Sequence, residues 1–298
     1  MLLVTGITGH SGRHFLKELI DNKYVGPIRC IVRETSNTSL IDSSGLNIEK
    51  VIGTLDDVVF LETCMKNVDT IMHIAGIHRT CNVIQAAVRS KVEKVITVHT
   101  TGIYSKYKSA SEEYKSIEQQ VMMTIKDNAP EMGLIILRPT MIYGNINDKN
   151  MIVFIKMVDK LRLFPVIDHG MSFLQPVNGH DLGKAYYQVL INQGIMNGDY
   201  VLSGEKPITM LGTFKLISNI LGKKTIFINI PLKFGVFLAR ILKIVTLDRI
   251  DYIEKVQRMG EDRSFPHEDA FRDFGYNPMS FAEGIKKEVK QYVEMIKS

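Results

Sequence analysis

The eight residues Thr5-Gly6-Ile7-Thr8-Gly9-His10-Ser11-Gly12 constrain this chain more than any other stretch. They join a short β-branched run at 2–5 to a helical pattern over 11–22. Such a turn needs residues that tolerate unusual φ, and a side chain there would hold an anion away from the backbone N–H groups. The helix that follows offers unpaired donors and a partial positive charge at its start. A GxxGxxG spacing between strand and helix therefore predicts a nucleotide pyrophosphate held by Gly6, Thr8, Gly9, His10, Ser11 and Gly12.

The same alternation continues through the first half. Apolar runs at 28–32, 50–52, 70–75, 94–99 and 134–137 read as strands, and 58–66, 82–90 and 112–127 read as helices. Strands separated by helices imply an α/β fold with a parallel, doubly wound sheet covered on both faces. After about residue 150 helical stretches dominate, broken by Pro165, Pro176, Pro207 and Pro231, with short strands near 175–177 and 199–202. We expect a dinucleotide-binding domain over 1–165, with 175–195 returning to it. A smaller lobe over 166–298 interleaves with it.

Composition narrows the classes. No uncharged apolar run approaches the ~18 residues of a membrane span, and mean hydropathy is +0.02. Met1-Leu2-Leu3-Val4 runs straight into the glycine loop with no basic n-region, so a cytoplasmic location is expected. Cys30, Cys64 and Cys81 are odd in number and lack CxxC spacing, as for reduced thiols. The net charge of +5 is scattered, without a block of like charges or a nucleic-acid motif. An anionic small molecule is the expected partner. Metal ligation and a serine-nucleophile elbow are not expected.

The end of the second predicted strand chooses between cofactors. It reads Ile31-Val32-Arg33-Glu34. Arg33 can grip a ribose 2′-phosphate bidentately, and Arg13 adds to the field, which favours NADP. Glu34 leaves NAD open, since a carboxylate there would accept from ribose hydroxyls.

Five later segments, taken with the glycine loop, resemble the extended short-chain dehydrogenase/reductase superfamily and its NAD(P)-dependent epimerase/dehydratase branch. They are Gly53-Thr54-Leu55-Asp56, His73-Ile74-Ala75-Gly76, Thr100-Thr101-Gly102-Ile103-Tyr104, Leu137-Arg138-Pro139-Thr140-Met141-Ile142-Tyr143-Gly144 and Gln175-Pro176-Val177-Asn178-Gly179-His180-Asp181-Leu182. The resemblance implies a Rossmann-type sheet with a smaller, mostly helical C-terminal substrate lobe. It places Thr54 and Leu55 along the adenine, with Thr54 standing where the family usually has Asp. Ile74, Ala75 and Gly76 would line the groove, and Pro139 and Thr140 would flank the nicotinamide. Thr100 falls where a hydroxyl polarises the substrate oxygen.

The family pairs a Tyr with a Lys four residues later on one helix face. Tyr104 and Lys108 match that spacing, but Tyr104 belongs to the strand-end segment. One register on the helix brings Lys115 to the Lys position and Ser111 to the Tyr position. A second puts Tyr114 at the Lys position. A third makes Tyr114 the acid and leaves Glu118 where Lys should be. Only residues 77–93 separate the fourth and fifth strands, shorter than in extended members, and His78 there is a further proton-transfer candidate.

In the C-terminal lobe Phe154, Phe164, Phe173 and Gln175 are candidate pocket residues. Leu232–Val245 is apolar with Lys233, Arg240 and Lys243, and reads as a lid, a membrane-surface contact or a packing helix. The expected function is NAD(P)-dependent hydride transfer, by an oxidoreductase or epimerase/dehydratase. Its substrate would be a nucleotide sugar or related carbonyl compound, with Thr100 and Tyr114 or Lys115 catalytic. A non-catalytic dinucleotide-sensing protein is the alternative, and either is expected as a monomer or homodimer.

Overall fold

The computed structural model describes residues 1–107, 109–249 and 251–297. Seven strands build the central sheet: β1 (Leu2–Thr5), β2 (Ile28–Val32), β3 (Ile48–Ile52), β4 (Thr70–His73), β5 (Lys94–Val98), β6 (Gly133–Pro139) and, much later, β11 (Gly198–Leu202). Their order is β11-β6-β5-β4-β1-β2-β3, and every pair is parallel. The first half of the chain thus winds outward from β1 in both directions. The strand order reverses between β1 and β4, so a crevice opens beyond their C-terminal ends.

Several strands differ from their expected bounds, and for β3 and β4 the reason is local. β3 begins at Ile48, because it pairs with the whole of β2 from Ile28↔Ile48 to Val32↔Ile52. β4 stops at His73: the Ile74 amide still donates to the Thr5 carbonyl, but Gly76 at φ 98° turns the chain away.

The helices of the first half are α1 (His10–Asp21), α2 (Ser39–Asp42), α3 (Val58–Cys64), α4 (Thr80–Arg89) and α5 (Ser111–Asn128). α3, α4 and α5 pack side by side over one face of the sheet, around Leu3, Ile71, Val95 and Ile136. α1 covers the other face with Phe15, Leu16 and Leu19. Strand side chains alternate between these two cores, which is why each run is apolar throughout.

The second half contains β7 (Ile142–Tyr143), α6 (Met151–Lys160), β8 (Leu163–Ile167), β9 (Phe173–Leu174), β10 (Val177–Asn178), α7 (Gly179–Ile191), β12 (Ile208–Thr209), α8 (Met210–Ile220), β13 (Ile226–Ile230), α9 (Leu232–Val245), α10 (Ile253–Met259), α11 (Glu268–Phe274) and α12 (Phe281–Lys297). α7 returns to the sheet and lies on α1. A Cβ at Gly183 would sit 2.6 Å from the His14 carbonyl carbon, so the helices meet backbone to backbone. The lobe has its own core, in which Phe164 and Phe214 stack 4.5 Å apart beside Ile155, Ile217 and Ile285. Among the described residues it also carries three two-stranded ladders, β7/β10, β8/β13 and β9/β12, beyond the helices expected there.

Phe154 and Phe164, read above as pocket candidates, pack on Phe214 in that core. Gln175 is buried as a brace: its amide donates to the Gly204 carbonyl and its oxygen accepts from the Phe265 N–H. Phe173 is exposed.

Glu288 on α12 is fully buried and accepts from the Gly144 N–H at 2.8 Å. Burial first, then the neighbouring Asp148 carboxyl, push it up to about 9. Folding therefore takes up a proton, and stability falls as pH rises from about 4.5 toward 9. Glu288→Gln keeps the acceptor and removes the ionisable group. Its melting temperature should exceed the parent's by a few degrees at pH 8 and match it near pH 5, measured by thermal denaturation.

Candidate functional site

The glycine loop closes against the end of β4. Gly6 has φ 77°, and a Cβ there would lie 2.6 Å from the Ala75 amide nitrogen. A Cβ on Gly12 would lie 2.1 Å from the Gly6 carbonyl oxygen. Both positions admit only hydrogen. Gly9 is the N-cap of α1 and supplies no side-chain acceptor, so the first-turn amides of His10, Ser11 and Gly12 lack intrahelical partners. Gly76, at φ 98°, has open space where a Cβ would stand. An uncapped helix start facing an open glycine wall fits a pyrophosphate.

The topology brings the other predicted positions to this same edge. Thr54 and Leu55 follow β3, Thr100 follows β5, and Pro139 and Thr140 end β6. Thr54 is exposed and its hydroxyl donates to Asp56, while the Leu55 carbonyl accepts from Asn82. Thr140 donates to the Gln175 carbonyl. The Thr100 hydroxyl oxygen accepts from the Gly102 N–H at 3.0 Å, which leaves its own proton free to donate. Thr8 accepts from Arg13 Nε at 2.9 Å. Beside the loop a cavity of about 120 Å³ is lined by Thr8, Arg13, Asn37 and Ser39. Arg33, the first residue past β2, is exposed. A larger depression of about 570 Å³, between Tyr24, Pro27 and Asn47, lies at the N-terminal ends of β2 and β3, the opposite side from the crevice.

At the base of the crevice, the Thr5 hydroxyl and His73 Nδ1 are 2.7 Å apart, and His73 Nε2 is 3.1 Å from the Gly76 carbonyl. Burial, aided by His99, lowers His73 to about 3, so the ring stays neutral and braces the strand ends. His10 and His14 form an i, i+4 pair, which the expectation of no metal ligation passes over, and His14 is 6.1 Å from His180 ring to ring. Burial, then His10 and His180, lowers His14 to about 4. No metal-holding group of three or more His, Cys, Asp or Glu occurs among the described residues. His10 Nδ1 instead meets the Asn145 amide at 3.1 Å.

A buried ion network orients α5. Arg138 donates to both Glu118 oxygens, at 2.6 and 2.9 Å, and to both Asp199 oxygens, at 2.6 and 2.7 Å. His99 Nδ1 lies 2.7 Å from Glu118, and its Nε2 lies 3.2 Å from the Thr80 hydroxyl. Burial alone would raise the Glu118 carboxyl, but bonds from His99 and Arg138 outweigh it and hold it at about 2.

With Glu118 turned inward, Tyr114, one turn earlier, is buried against Ile77 and Ile103. Its ring meets His78 edge-on at 5.5 Å. The residue four before Tyr114 is Ala110, the N-cap. Along α5 this face therefore presents Ala110, Tyr114 and Glu118. Lys115 points to solvent, paired with Glu112 at 2.7 Å, so the structure does not bring it to Tyr114. Ser111 is buried at the helix start. His78 is half-exposed on Glu113 at 3.0 Å. Tyr104 stacks under the Arg138 guanidinium, and Lys108 lies outside the described residues.

Sequence reasoning missed Asp199, and it missed Glu254 and Glu261 near α10. Glu261 accepts from Ser105 and the Lys106 N–H, and Glu254 accepts from Ser109, which ties down the loop between Thr100 and Tyr114. These carboxylates are at least 61 residues from their partners and carry no local signal.

A family profile described as NAD(P)H-binding matches residues 6–141. A search of curated proteins finds no match. Solved structures match over nearly the whole chain. A double mutant of dTDP-glucose 4,6-dehydratase from Streptomyces venezuelae, with NAD bound, has TM-score 0.73 and 20% identity, covering 99% of this chain and 97% of its own. UDP-glucose 4-epimerase from Thermotoga maritima, with UDP-glucose, has TM-score 0.72 and 16% identity over 99% of each. Triphenylmethane reductase from Citrobacter sp. has TM-score 0.72 and 18% identity, over 97% and 99%. Residues 6–141 thus match an NAD(P)H-binding profile, and the whole chain shares the fold of these dehydratase, epimerase and reductase structures.

Two outcomes follow. Gly12→Ala should weaken dinucleotide binding by about 10- to 100-fold in calorimetric titration, because the new methyl displaces the Gly6 carbonyl. Glu118→Ala leaves Arg138 and His99 without their shared carboxylate, and should cost about 3–5 kcal/mol in urea unfolding at pH 7. That difference should shrink as pH falls from about 4.5 toward 2, since the parent's advantage rests on an ionised Glu118.

Proposed function

We propose that this protein, built on the extended short-chain dehydrogenase/reductase fold, is an NADP-dependent oxidoreductase. The carrying observation is the glycine cradle, where Gly6 and Gly12 leave no room for a side chain and the uncapped start of α1 faces Ala75 and Gly76. Oxidising an alcohol needs a base to take its proton, and in the family that base is a phenolate held by an ammonium one turn away. Tyr114 lies on the inner face of α5 beside His78 and is the candidate proton carrier for the substrate oxygen. Reduction of a carbonyl needs a proton delivered to that oxygen.

The amides of His10, Ser11 and Gly12 would hold the pyrophosphate of NAD(P)H, a hydride donor when bound, and Ala75 and Gly76 would form the facing wall. Thr54 and Leu55 flank the adenine, and Pro139 and Thr140 border the nicotinamide side. Thr100 donates its hydroxyl proton toward the substrate oxygen and orients it. Tyr114 protonates that oxygen, with His78 and Glu113 at its edge to resupply the proton from solvent. Lys115 takes no part in this reading.

Arg13, which lines the 120 Å³ cavity, and the exposed Arg33 just past β2 favour the 2′-phosphate of NADP over NAD. Nucleotide-sugar ligands in the dehydratase and epimerase relatives support a sugar or related carbonyl substrate, and the reductase relative supports one-way reduction. A second reading, a dinucleotide sensor without turnover, draws on Lys115 being turned to solvent on Glu112.

Calorimetric titration should show NADPH binding tighter than NADH, and Arg33→Ala should cost NADPH about 10- to 100-fold while leaving NADH unchanged. Equal affinities in the parent would remove the role given to Arg33. A screen of nucleotide sugars and simple carbonyl compounds, followed by NADPH oxidation, should find a substrate. Tyr114→Phe should then lower kcat by about 10²-fold. Tight NADPH binding with no oxidation by any compound supports the sensor instead.

A further inference from the structure

α9 is inside out. Along Leu232–Val245 the residues turned toward the protein are Gly235 and Ala239, the only buried ones. A Cβ on Gly235 would meet Ile167 at 2.8 Å and Val256 at 3.2 Å, so the smallest residues let the helix lie close on β8 and α10. The large apolar side chains point the other way. Phe234 is 52% exposed, Phe237 55%, and Ile244 and Val245 74% each, with Leu238, Ile241 and Leu242 also exposed. At 100° per residue these seven cover an unbroken arc of about 160°. The strand that feeds α9 continues the theme. On the outer face of β13 and β8, Ile226 and Ile228 stand beside Leu163 and Pro165. Soluble surfaces rarely expose a contiguous apolar patch of this kind without an occupant.

The charges say which occupant. From Lys206 to Leu247 the chain has no Asp or Glu and seven cations: Lys206, Lys215, Lys223, Lys224, Lys233, Arg240 and Lys243. The whole chain is +5, so everything outside these 42 residues sums to −2. The cations are thus gathered in about a third of the lobe's sequence, with Lys206 paired to Glu205 at 3.4 Å and Lys223 to Asp159 at 3.0 Å. Lys233 and Arg240, seven residues apart, flank the apolar arc on one edge, and neither makes an ion pair among the described residues. Lys243, on the inner side, is held by Asp251 at 2.8 Å and Asp248 at 3.6 Å. A second copy docked on this face would set the same unpaired cations against each other. An anionic lipid surface accepts both features, the acyl boundary taking the arc and the headgroups taking the cations. At 14 residues α9 is too short to span a bilayer, and no helix among the described residues is long and apolar enough to do so.

We propose that α9, with the outer face of β13, docks this protein in the plane of an anionic membrane surface. The docking face lies one helix from the candidate substrate site, because α10 packs on α9 and the Glu254 and Glu261 carboxylates hold the loop between Thr100 and Tyr114. The proposal stands independently of the reductase reading, since dinucleotide binding and membrane binding are measured separately.

The chain has no tryptophan. Phe237→Trp therefore gives a single reporter whose emission should shift to the blue with phosphatidylglycerol-containing vesicles and stay unchanged with phosphatidylcholine alone. The parent chain should co-sediment with the anionic vesicles at low salt and be partly released as salt rises. F237S/I241S should abolish binding, and K233Q/R240Q should reduce it about tenfold or more, both with unchanged circular dichroism and unchanged NADPH affinity. No co-sedimentation with anionic vesicles, equal binding to neutral ones, or binding retained by F237S/I241S would overturn the proposal. So would a concentration-dependent dimer, abolished by F237S/I241S, with no vesicle binding, which would assign the face to a second copy.

Discussion

One guanidinium sets the geometry on which the rest of the site depends. Arg138 leaves β6 nearly buried and spends four hydrogen bonds on two carboxylates, one from α5 and one from the neighbouring strand β11. A buried cation with that many partners cannot shift without stranding charge. It fixes the rotation of α5 about its own axis. Once Glu118 faces the sheet, Tyr114 turns onto Ile77, Ile103 and His78 while Lys115 faces water, because residues one apart on a helix diverge by about 100°. His99 adds a third tie to the same carboxylate, and Tyr104 caps the guanidinium from above. The polar cluster thus works as a positioning device for the helix that carries the candidate chemistry.

A second constraint is steric. The loop at Gly6 and the turn after β4 approach until their backbones touch, so the pyrophosphate edge is a surface of amides rather than side chains. His73, kept neutral by burial, pins this junction from below through Thr5 and the Gly76 carbonyl. The closeness of α1 and α7 at Gly183 continues the same logic on the outer layer. Function at this edge depends on hydrogen atoms where other residues would have carbons.

The C-terminal lobe contrasts with the sheet domain in how it treats apolar surface. The lobe's core is closed by Phe164, Phe214 and α12, yet its outermost helix turns phenylalanine, isoleucine and valine to the outside while keeping glycine and alanine within. The two halves also differ in charge. The cations gathered between 206 and 247 leave the remainder slightly acidic, so the molecule has a polarity that its modest net charge conceals.

What the amino-acid order determined by itself was local in origin. Glycines at 6, 9 and 12 mark a turn that only they can make, and continuous apolar runs separated by helical ones force a parallel sheet with its ligand edge at the strand ends. Those signals span fewer than a dozen residues each, so they can be read without a fold. Two matters waited for tertiary structure. The register of α5 is ambiguous in sequence, since three alignments of its Tyr and Lys are equally well spaced. It was decided by a carboxylate–guanidinium contact 20 residues away. The direction of α9 is invisible in sequence too, because an apolar arc has the same periodicity whether it faces a core or a solvent. Only the packing of Gly235 and Ala239 against β8 and α10 shows that it faces out.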